Sequence, residues 1–333
     1  MDETRRRVLG MGTVAAIGVL SVQQGVTAQP ASGPAPGPKM PPGALRLVTF
    51  ATGSGAPRPG VISPSGQVVE LTAPASMLDL IRGGAPMLAD ARQHSQAPAG
   101  GGLDLAGVRL LPPIPVLSRN IYAVGWNYLE HFEEGDSRYG KRPLPKHPVF
   151  FTKGTHTLNG PFEPIPFDPA VSEQIDWEGE LAVVIGRGGR NIAEADAMGH
   201  VFGYTVINDT TARDMQADHG GQWFKGKSLD GHGPMGPWLI PASDLDYDNL
   251  DLTTRVNGVV KQSINTRQMY FKIPRIIAEL SLGLTLEPGD IIATGTPSGI
   301  GASRNPPEYL KPGDVMETEI AQIGTLRNVI TRV

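Results

Sequence analysis

Three things are missing from this chain of 333 residues: cysteine, an excess of basic charge, and a hydrophobic run long enough to span a bilayer. The absence of cysteine excludes disulfides, thiolate nucleophiles and cysteine-ligated zinc, so any metal site must use oxygen or imidazole ligands. The formal net charge is −4. Because phosphate binding requires clustered basic residues, we expect no nucleic-acid partner.

The N-terminus has the layout of an export signal. Arg5 and Arg6 precede the mildly apolar run 11–22, and small residues at 26–28 offer a cleavage site. The run is shorter than the ~18 to 20 residues that a membrane-spanning helix requires. We therefore predict a twin-arginine signal peptide over residues 1–28, periplasmic localisation, and no stable membrane anchor after cleavage. A membrane anchor and a basic tail are the less favoured alternatives.

The rest of the chain divides by composition. Residues 29–43 are dominated by Pro, Gly, Ala and Ser, which predicts a linker. Residues 44–113 contain short apolar runs around a Pro-Ser-Gly turn, which predicts a small β-rich N-terminal domain with a hairpin. Residues 114–333 are dense in short strands with few helical segments, which we predict at Ile192–His200, Thr210–Ala217 and Pro274–Leu282. We therefore predict an α+β fold that is predominantly β.

An alternating acidic pattern opens the segment IDWEGELAVVIG at residues 175–186. Because side chains alternate along a strand, Asp176, Glu178 and Glu180 are predicted to share one face. Converging carboxylates repel one another, so the pattern fits a hard divalent cation, and it equally fits a solvated edge strand. Asp209, at the end of an apolar run, offers either a third carboxylate or a helix cap.

Two further segments carry candidate catalytic groups. His131 and Glu134 are three residues apart, a spacing that joins side chains on one helical turn and fits either an acid/base pair or a surface histidine in an acidic loop. Glu130 and Glu133 lie in the same segment, so spacing alone does not single out Glu134. The Gly- and Pro-rich stretch WFKGKSLDGHGPMGPWL, which contains Lys227, is typical of an active-site loop or of a flexible basic loop.

Seven segments, in order, resemble the fumarylacetoacetate hydrolase family: NYLEH followed by Glu134, FFTK, DWEGELAVVIG, VINDTTARD, KGKSLDGHGPMGPW, VNGVVKQ and LEPGDIIATGTPSGIG. The resemblance covers residues 120 to 330 almost without interruption, and residues 45 to 112 resemble the small N-terminal domain of longer members. It implies a fold of layered mixed β-sheets, a homodimer, and a small-molecule substrate.

The resemblance also implies roles for individual residues. Glu178, Glu180 and Asp209 match the ligands of Mg²⁺ or Mn²⁺, and Asp176 is left to support them. His131 and Glu134 match the pair that activates water, and Lys227 matches a group that holds developing negative charge. The positions that hold substrate in the family correspond to Lys153, Arg213, Gln216 and Thr296.

The implied activity is hydrolysis of a C–C bond in an acylpyruvate-like 1,3-dicarbonyl or 2-oxo acid through an enolate. Decarboxylation or tautomerisation of oxaloacetate, and isomerisation of an unsaturated 2-oxo diacid, are the alternatives. Hydrolysis is ranked first because the pair His131 and Glu134 suits activation of water, and isomerisation needs no activated water. An exported 2-oxo acid binding protein without activity is a more remote alternative.

Overall fold

The computed structural model describes residues 43–96, 101–135 and 143–333. The predicted signal peptide, and the predicted linker apart from Gly43, lie outside these residues. Among the described residues, no helix is long and apolar enough to cross a membrane.

The core of the described chain is an 11-stranded mixed sheet with the order β3-β2-β1-β14-β12-β10-β18-β5-β6, in which β4 also pairs with β1 and β7 with β14. Its central strands β10 and β12 are buried along almost their whole length, because both faces of the sheet are covered. The strands are β1 (Arg46–Ala51), β2 (Arg58–Ile62), β3 (Val68–Glu70), β4 (Arg109–Leu111), β5 (Ile121–Gly125), β6 (Val149–Lys153), β7 (Leu158–Asn159), β10 (Gly179–Ile185), β12 (Val201–Asn208), β14 (Gly233–Pro241) and β18 (Ile291–Ala293).

A five-stranded sheet with the order β16-β15-β19-β20-β8 forms a second layer. It contains β8 (Ile165–Phe167), β15 (Asp251–Val256), β16 (Val259–Asn265), β19 (Val315–Ile320) and β20 (Gly324–Arg332). Two strand pairs complete the described β structure: β9 (Ile175–Asp176) with β13 (Thr211–Ala212), and β11 (Gly189–Arg190) with β17 (Thr285–Leu286). A Cβ on Gly179 would lie 2.3 Å from Thr254 Oγ1, so the second sheet closely approaches the acidic strand.

Within the part of the chain that the structure describes, helices are few and mostly short, as predicted. They are α1 (Met77–Ser95), α2 (Leu129–Glu134), α3 (Arg213–Asp218), α4 (Phe224–Lys227) and α5 (Ile273–Ser281). Single 3₁₀ turns occur at Leu105–Gly107, Thr155–Thr157, Ala242–Asp244, Tyr247–Asn249, Thr266–Gln268 and Gly301–Ser303, and a longer one at Glu194–His200. The last corresponds to a predicted α-helix. The fold is therefore α+β and predominantly β, as the sequence predicts.

The N-terminal strands form the predicted hairpin. β2 and β3 pair from Ile62↔Val68 to Gly60↔Glu70, and the turn between them is closed by a 2.9 Å bond from Gly66 N–H to the Ser63 carbonyl. β1 pairs with β14 at Leu47↔Leu239, which adds these strands to the edge of the central sheet. The division into domains near residue 113 stays a prediction.

Candidate metal centre and active site

Three buried carboxylates converge where β10 begins and β12 ends. Glu178, Glu180 and Asp209 are 4%, 1% and 0% exposed, and each offers an oxygen within 4.8 Å of the others. Asp209 N–H donates to the Glu178 carbonyl at 2.8 Å, which fixes the register of the two segments. The convergence that alternation predicted for Glu178 and Glu180 is therefore present, and it excludes a solvated edge strand at this point.

Asn208 fixes the local turn that presents Asp209. Its side-chain carbonyl accepts hydrogen bonds from Glu178 N–H and from the Thr210 hydroxyl, both at 3.1 Å, and its amide donates 2.9 Å to Thr318 Oγ1 in the second sheet. These bonds satisfy the polar groups of a buried turn and tie it to both sheets. As a result, the Asp209 carboxylate faces the two glutamates instead of capping a helix.

Three buried cations surround the acids. Lys227 Nζ lies 2.5 Å from Glu178 Oε2 and 2.8 Å from Asp209 Oδ2. Lys153 Nζ lies 2.7 Å from Asp209 Oδ1, and Arg213 Nη1 lies 2.7 Å from Glu178 Oε1. Although burial opposes it, the charges of Asp209 and Glu178 raise the pKa of Lys227, so its ammonium stays charged at neutral pH.

Glu180 differs from its neighbours because it has no ion pair with any described residue. Its Oε2 accepts a 2.7 Å hydrogen bond from Gly295 N–H. Burial, and then the charges of Asp209 and Glu178, raise the pKa of Glu180 well above its usual value. For Glu178, burial acts in the same direction, but the charges of Lys227 and Arg213 outweigh it and lower the pKa to about 2.

This imbalance is the structural reason to place a cation here. An ionised carboxylate that is buried without a counterion is unstable, and a divalent cation among three carboxylates removes that cost. Oxygens that already accept from lysine or arginine retain a second lone pair for a metal. An all-oxygen donor set suits Mg²⁺ or Mn²⁺. The acidic cluster therefore fits such an ion.

The predicted His131 and Glu134 pair forms on α2. His131 Nδ1 lies 3.0 Å from Glu134 Oε2, and Glu134 Oε1 accepts a 2.9 Å bond from Gly299 N–H. Since an ionised carboxylate only accepts, His131 Nδ1 carries the proton in the neutral ring and Nε2 is left as a base. His131 lines the same pocket as Glu178 and Glu180, so this base is next to the acidic cluster.

The predicted substrate-holding residues separate into two groups. Arg213, Gln216 and Thr296 line the pocket, and Arg213 Nη1 donates 3.1 Å to Gln216 Oε1. Lys153 is fully buried behind the acids, where its Nζ also donates to the carbonyls of Lys227 and Thr210 at 2.5 and 3.3 Å. Its contacts therefore hold the Asp209 carboxylate and the Lys227 backbone in place.

Asp176 supports the site from a distance, as expected. β9 ends at this residue and β10 begins at Gly179, so the acidic segment is two strands with a break instead of one. Asp176 Oδ2 accepts 2.7 Å from Arg213 Nε, and Oδ1 accepts 2.7 Å from Gly301 N–H. It therefore joins Arg213 to the loop that also binds Glu134.

An aromatic wall, which the sequence did not indicate, faces the acids. Trp126, Phe151 and Trp223 line the pocket, and Trp223 packs edge-on against the other two with ring centroids 4.7 and 5.2 Å apart. Trp126 has a φ of 54°, an uncommon value for a side chain of this size. The pocket therefore combines a charged floor with an apolar side.

The two lysines of the Gly- and Pro-rich stretch WFKGKSLDGHGPMGPWL line different cavities. Lys227, on α4, lies in the pocket, whereas Lys225 is exposed and lines a separate cavity of 410 Å³ together with His232. His232 Nε2 lies 2.8 Å from the Pro166 carbonyl, and burial, aided by the charge of Lys153, lowers its pKa to about 4. Of the two lysines and His232 in this stretch, Lys227 is therefore the one that reaches the pocket with the acidic cluster.

Comparisons with known proteins agree with this geometry. Residues 120–331, which include every site residue named above, match the model of the fumarylacetoacetate (FAA) hydrolase C-terminal domain. The oxaloacetate tautomerase YisK of Bacillus subtilis is 44% identical over 267 residues, which cover 78% of this chain and 87% of YisK.

Solved structures extend the match to the fold. A fumarylacetoacetate hydrolase from psychrophilic Exiguobacterium antarcticum is 38% identical, with a TM-score of 0.74 over 87% of this chain and 100% of the other. A 2-hydroxyhepta-2,4-diene-1,7-dioate isomerase from Mycobacterium marinum is 32% identical, with a TM-score of 0.67 over 86% and 98%. The chain therefore belongs to the fumarylacetoacetate hydrolase family.

Proposed function

We propose that the protein is a metal-dependent tautomerase that interconverts the keto and enol forms of a 2-oxo diacid, with oxaloacetate as the leading substrate. The observation that carries this proposal is the buried cluster Glu178, Glu180 and Asp209 with a histidine base beside it. The name of YisK supports oxaloacetate as substrate.

This proposal reverses the order of the sequence-based alternatives. The sequence alone favours hydrolysis over isomerisation, because the pair His131 and Glu134 suits activation of water. However, an imidazole that can take a proton from water can also take one from carbon. The pair His131 and Glu134 is therefore compatible with both hydrolysis and isomerisation. The relatives that are named as tautomerases and isomerases favour isomerisation.

The charge balance of the site suits an anionic substrate. Once Glu180 has released its proton, the four buried carboxylates Asp176, Glu178, Glu180 and Asp209 face the cations Lys153, Lys227 and Arg213, which leaves one excess negative charge. A divalent cation converts this into one excess positive charge. When bound, the ion polarises a carbonyl oxygen and favours the enolate. Arg213 Nη2 is buried and has no hydrogen-bond partner among the described residues, so it offers a donor for a carboxylate.

The residues of the chain then supply the proton movements. His131 Nε2 takes a proton from C3 of the keto acid while Glu134 stabilises the resulting imidazolium through Nδ1. Lys227, with its raised pKa, holds the negative charge that moves to the C2 oxygen. Return of the proton to that oxygen gives the enol. No water is consumed, and the reverse sequence regenerates the ketone.

The test is product analysis by NMR in D₂O with oxaloacetate, an acylpyruvate and an unsaturated 2-oxo diacid, each with Mg²⁺, Mn²⁺ or chelator. A tautomerase accelerates exchange of the C3 protons of oxaloacetate without net product. Pyruvate formed faster than with metal alone indicates decarboxylation instead, and a new carboxylic acid from the acylpyruvate indicates hydrolysis. Either result, without enhanced exchange, refutes the proposal.

Isomerisation of an unsaturated 2-hydroxy diacid is a second candidate. The aromatic wall of Trp126, Phe151 and Trp223 gives the pocket an apolar side on which a conjugated chain can pack. Solved relatives that carry an isomerase name support this candidate. Turnover of the unsaturated diacid well above that of oxaloacetate would favour it.

Two expectations from the sequence accompany the proposal. Export through the twin-arginine pathway rests on residues 1–28, and we propose a periplasmic site of action on that basis. Fusing residues 1–35 to a reporter tests it, and a cytoplasmic reporter would refute it. The homodimer is likewise a proposal, and light scattering of the purified protein tests it.

A further inference from the structure

Gln262 connects the metal-binding strand to the opposite wall of the pocket. It lies on β16 of the second sheet and is 1% exposed. Its Oε1 accepts 3.0 Å from Gly179 N–H, the peptide between Glu178 and Glu180. Its Nε2 donates 2.9 Å to the Pro297 carbonyl and 2.7 Å to Thr296 Oγ1.

The orientation of this amide is fixed by the backbone. Gly179 N–H can only donate and the Pro297 carbonyl can only accept, so Oε1 and Nε2 of Gln262 cannot be exchanged. Both hydrogens of Nε2 are then assigned, one to Pro297 and one to Thr296. Thr296 Oγ1 must therefore accept from Gln262.

This assignment determines what the Thr296 hydroxyl can offer to the pocket. Its own hydrogen is donated to the Gly179 carbonyl at 3.1 Å. A hydroxyl has one hydrogen and two lone pairs, so after these two bonds one lone pair is left. Turning the hydrogen towards the pocket would break the bond to Gly179, which is costly in a site where Thr296 is only 3% exposed.

We propose that Gln262 is a positioning residue that holds the Thr296 hydroxyl as a hydrogen-bond acceptor at the pocket wall, and that Thr296 thereby selects ligands with an O–H group. Thr296 lines the pocket beside Glu178 and Glu180, where the oxygens of a 2-oxo acid bind under the proposed function. The keto form and its carboxylates have no O–H, whereas the enol has one. The pocket therefore favours the enol form.

A matched pair of ligands tests this selectivity by binding alone. Malonate and hydroxymalonate carry the same two carboxylates and differ by one hydroxyl. The ratio of their dissociation constants is measured by calorimetry on the Mg²⁺-loaded protein. In Thr296→Val, which keeps the shape of the side chain, we expect the preference for hydroxymalonate to fall about tenfold, because one hydrogen bond is lost. Thr296→Ser should retain the preference.

Gln262→Met tests the positioning role. Methionine has a similar length but neither donates to Thr296 nor accepts from Gly179 N–H, so both groups that orient the Thr296 hydroxyl lose a bond that holds them, and the preference should fall several-fold. Gln93→Met, an exposed position on α1, is the matched control and should leave the ratio unchanged. A ratio that stays at the native value in Thr296→Val overturns the proposal, even if both ligands bind more weakly. If Gln262→Met does not fold, the Thr296 variants decide alone.

Only the identification of the O–H ligand as an enol rests on the proposed function. The calorimetric ratio does not depend on turnover, so failure of the selectivity and failure of the tautomerase assay are separate results. An enzyme that decarboxylates oxaloacetate would still show the hydroxyl preference. A tautomerase without that preference would leave the proposed function intact and refute the role of Gln262.

Discussion

The acidic cluster and the His131 helix meet in one pocket but are built in different ways. Glu178, Glu180 and Asp209 extend from central strands whose neighbours are buried, and cations or backbone N–H groups hold every carboxylate. By contrast, α2 has six residues, and Glu134 is connected to the opposite loop through Gly299. The acidic cluster is part of the core, whereas His131 lies on a short helix beside it.

This difference separates two functions that are easily confused. A rigid, buried cluster can bind a cation and orient a substrate regardless of which reaction follows. The short helix α2 carries His131, the base that transfers the proton. Changes in the cluster should therefore abolish binding and activity together, whereas changes in the helix should affect the rate and leave metal binding intact.

Replacing Glu180 by glutamine should have the largest effect, because metal binding and activity are lost together. The variant loses the cluster carboxylate that forms no ion pair with a described residue, and we expect tautomerase activity to fall by at least about a hundredfold because stabilisation of developing charge is lost. Mg²⁺ affinity, measured by calorimetry, should fall as well. Glu173→Gln, at an exposed site, is the matched control. Native activity and metal affinity in Glu180→Gln would contradict the metal assignment.

Replacing His131 by alanine should lower the reaction rate without weakening metal binding, which distinguishes the role of the helix from that of the acidic cluster. Loss of a general base typically costs about 10² to 10⁴ in rate. We therefore expect kcat to fall within that range while Mg²⁺ affinity stays within about twofold of the native value, a margin well below the tenfold that corresponds to 1.4 kcal/mol. His147→Ala, on an exposed histidine that pairs with Glu279, is the control. A parallel loss of metal binding would show that the helix is not separate from the cluster.

Much of this arrangement follows from the sequence. The repeated LEPGD and LKPGD segments predict two similar turns, and Gly289 and Gly313 have φ values of 92° and 94°, with matching bonds from Asp290 N–H to Glu287 and from Asp314 N–H to Lys311, both 3.0 Å long. Alternation along a strand correctly brings Glu178 and Glu180 together. Local patterns succeed here because turns and strand faces depend on adjacent residues.

Contacts between distant segments could not be predicted in this way. Gln262 lies in a motif that the sequence comparison singled out, yet its role depends on the second sheet packing against Gly179, 83 positions away. Trp126 and Trp223 form one wall although a loop and several strands separate them in sequence. The predicted helix at Thr210–Ala217 begins only at Arg213, because Thr211 pairs with Asp176 in a short strand.

Asp176→Asn tests the connection between the cluster and the loop that binds the helix. Asparagine removes the charge beside Arg213, and its amide has only one acceptor atom, so it cannot accept from Arg213 Nε at one position and from Gly301 N–H at the other. We expect the free energy of unfolding to fall by about 3 to 5 kcal/mol, the usual cost of breaking a buried ion pair. Denaturant unfolding measures this, with the exposed Asp218→Asn as control. An unchanged stability would show that Asp176 is dispensable.

The pH dependence of metal binding should be the mildest effect. Because burial raises the pKa of Glu180, the metal-free folded protein holds this proton more tightly than the unfolded chain does, so this contribution to stability is lost as the pH rises through the raised pKa. Metal must displace the same proton. Mg²⁺ affinity should therefore increase with pH, by up to about tenfold per unit. Calorimetry in buffers of different ionisation enthalpy counts the released proton, and its absence would contradict the account.

Anomalous diffraction from crystals grown with Mn²⁺ tests the metal site most directly. We predict a single strong peak among the carboxylates of Glu178, Glu180 and Asp209, with metal to oxygen distances of roughly 2.0 to 2.2 Å. Glu180→Gln crystals treated in the same way should lose the peak. A native crystal with no manganese at this position, and with Lys227 still bridging Glu178 and Asp209, would contradict this prediction.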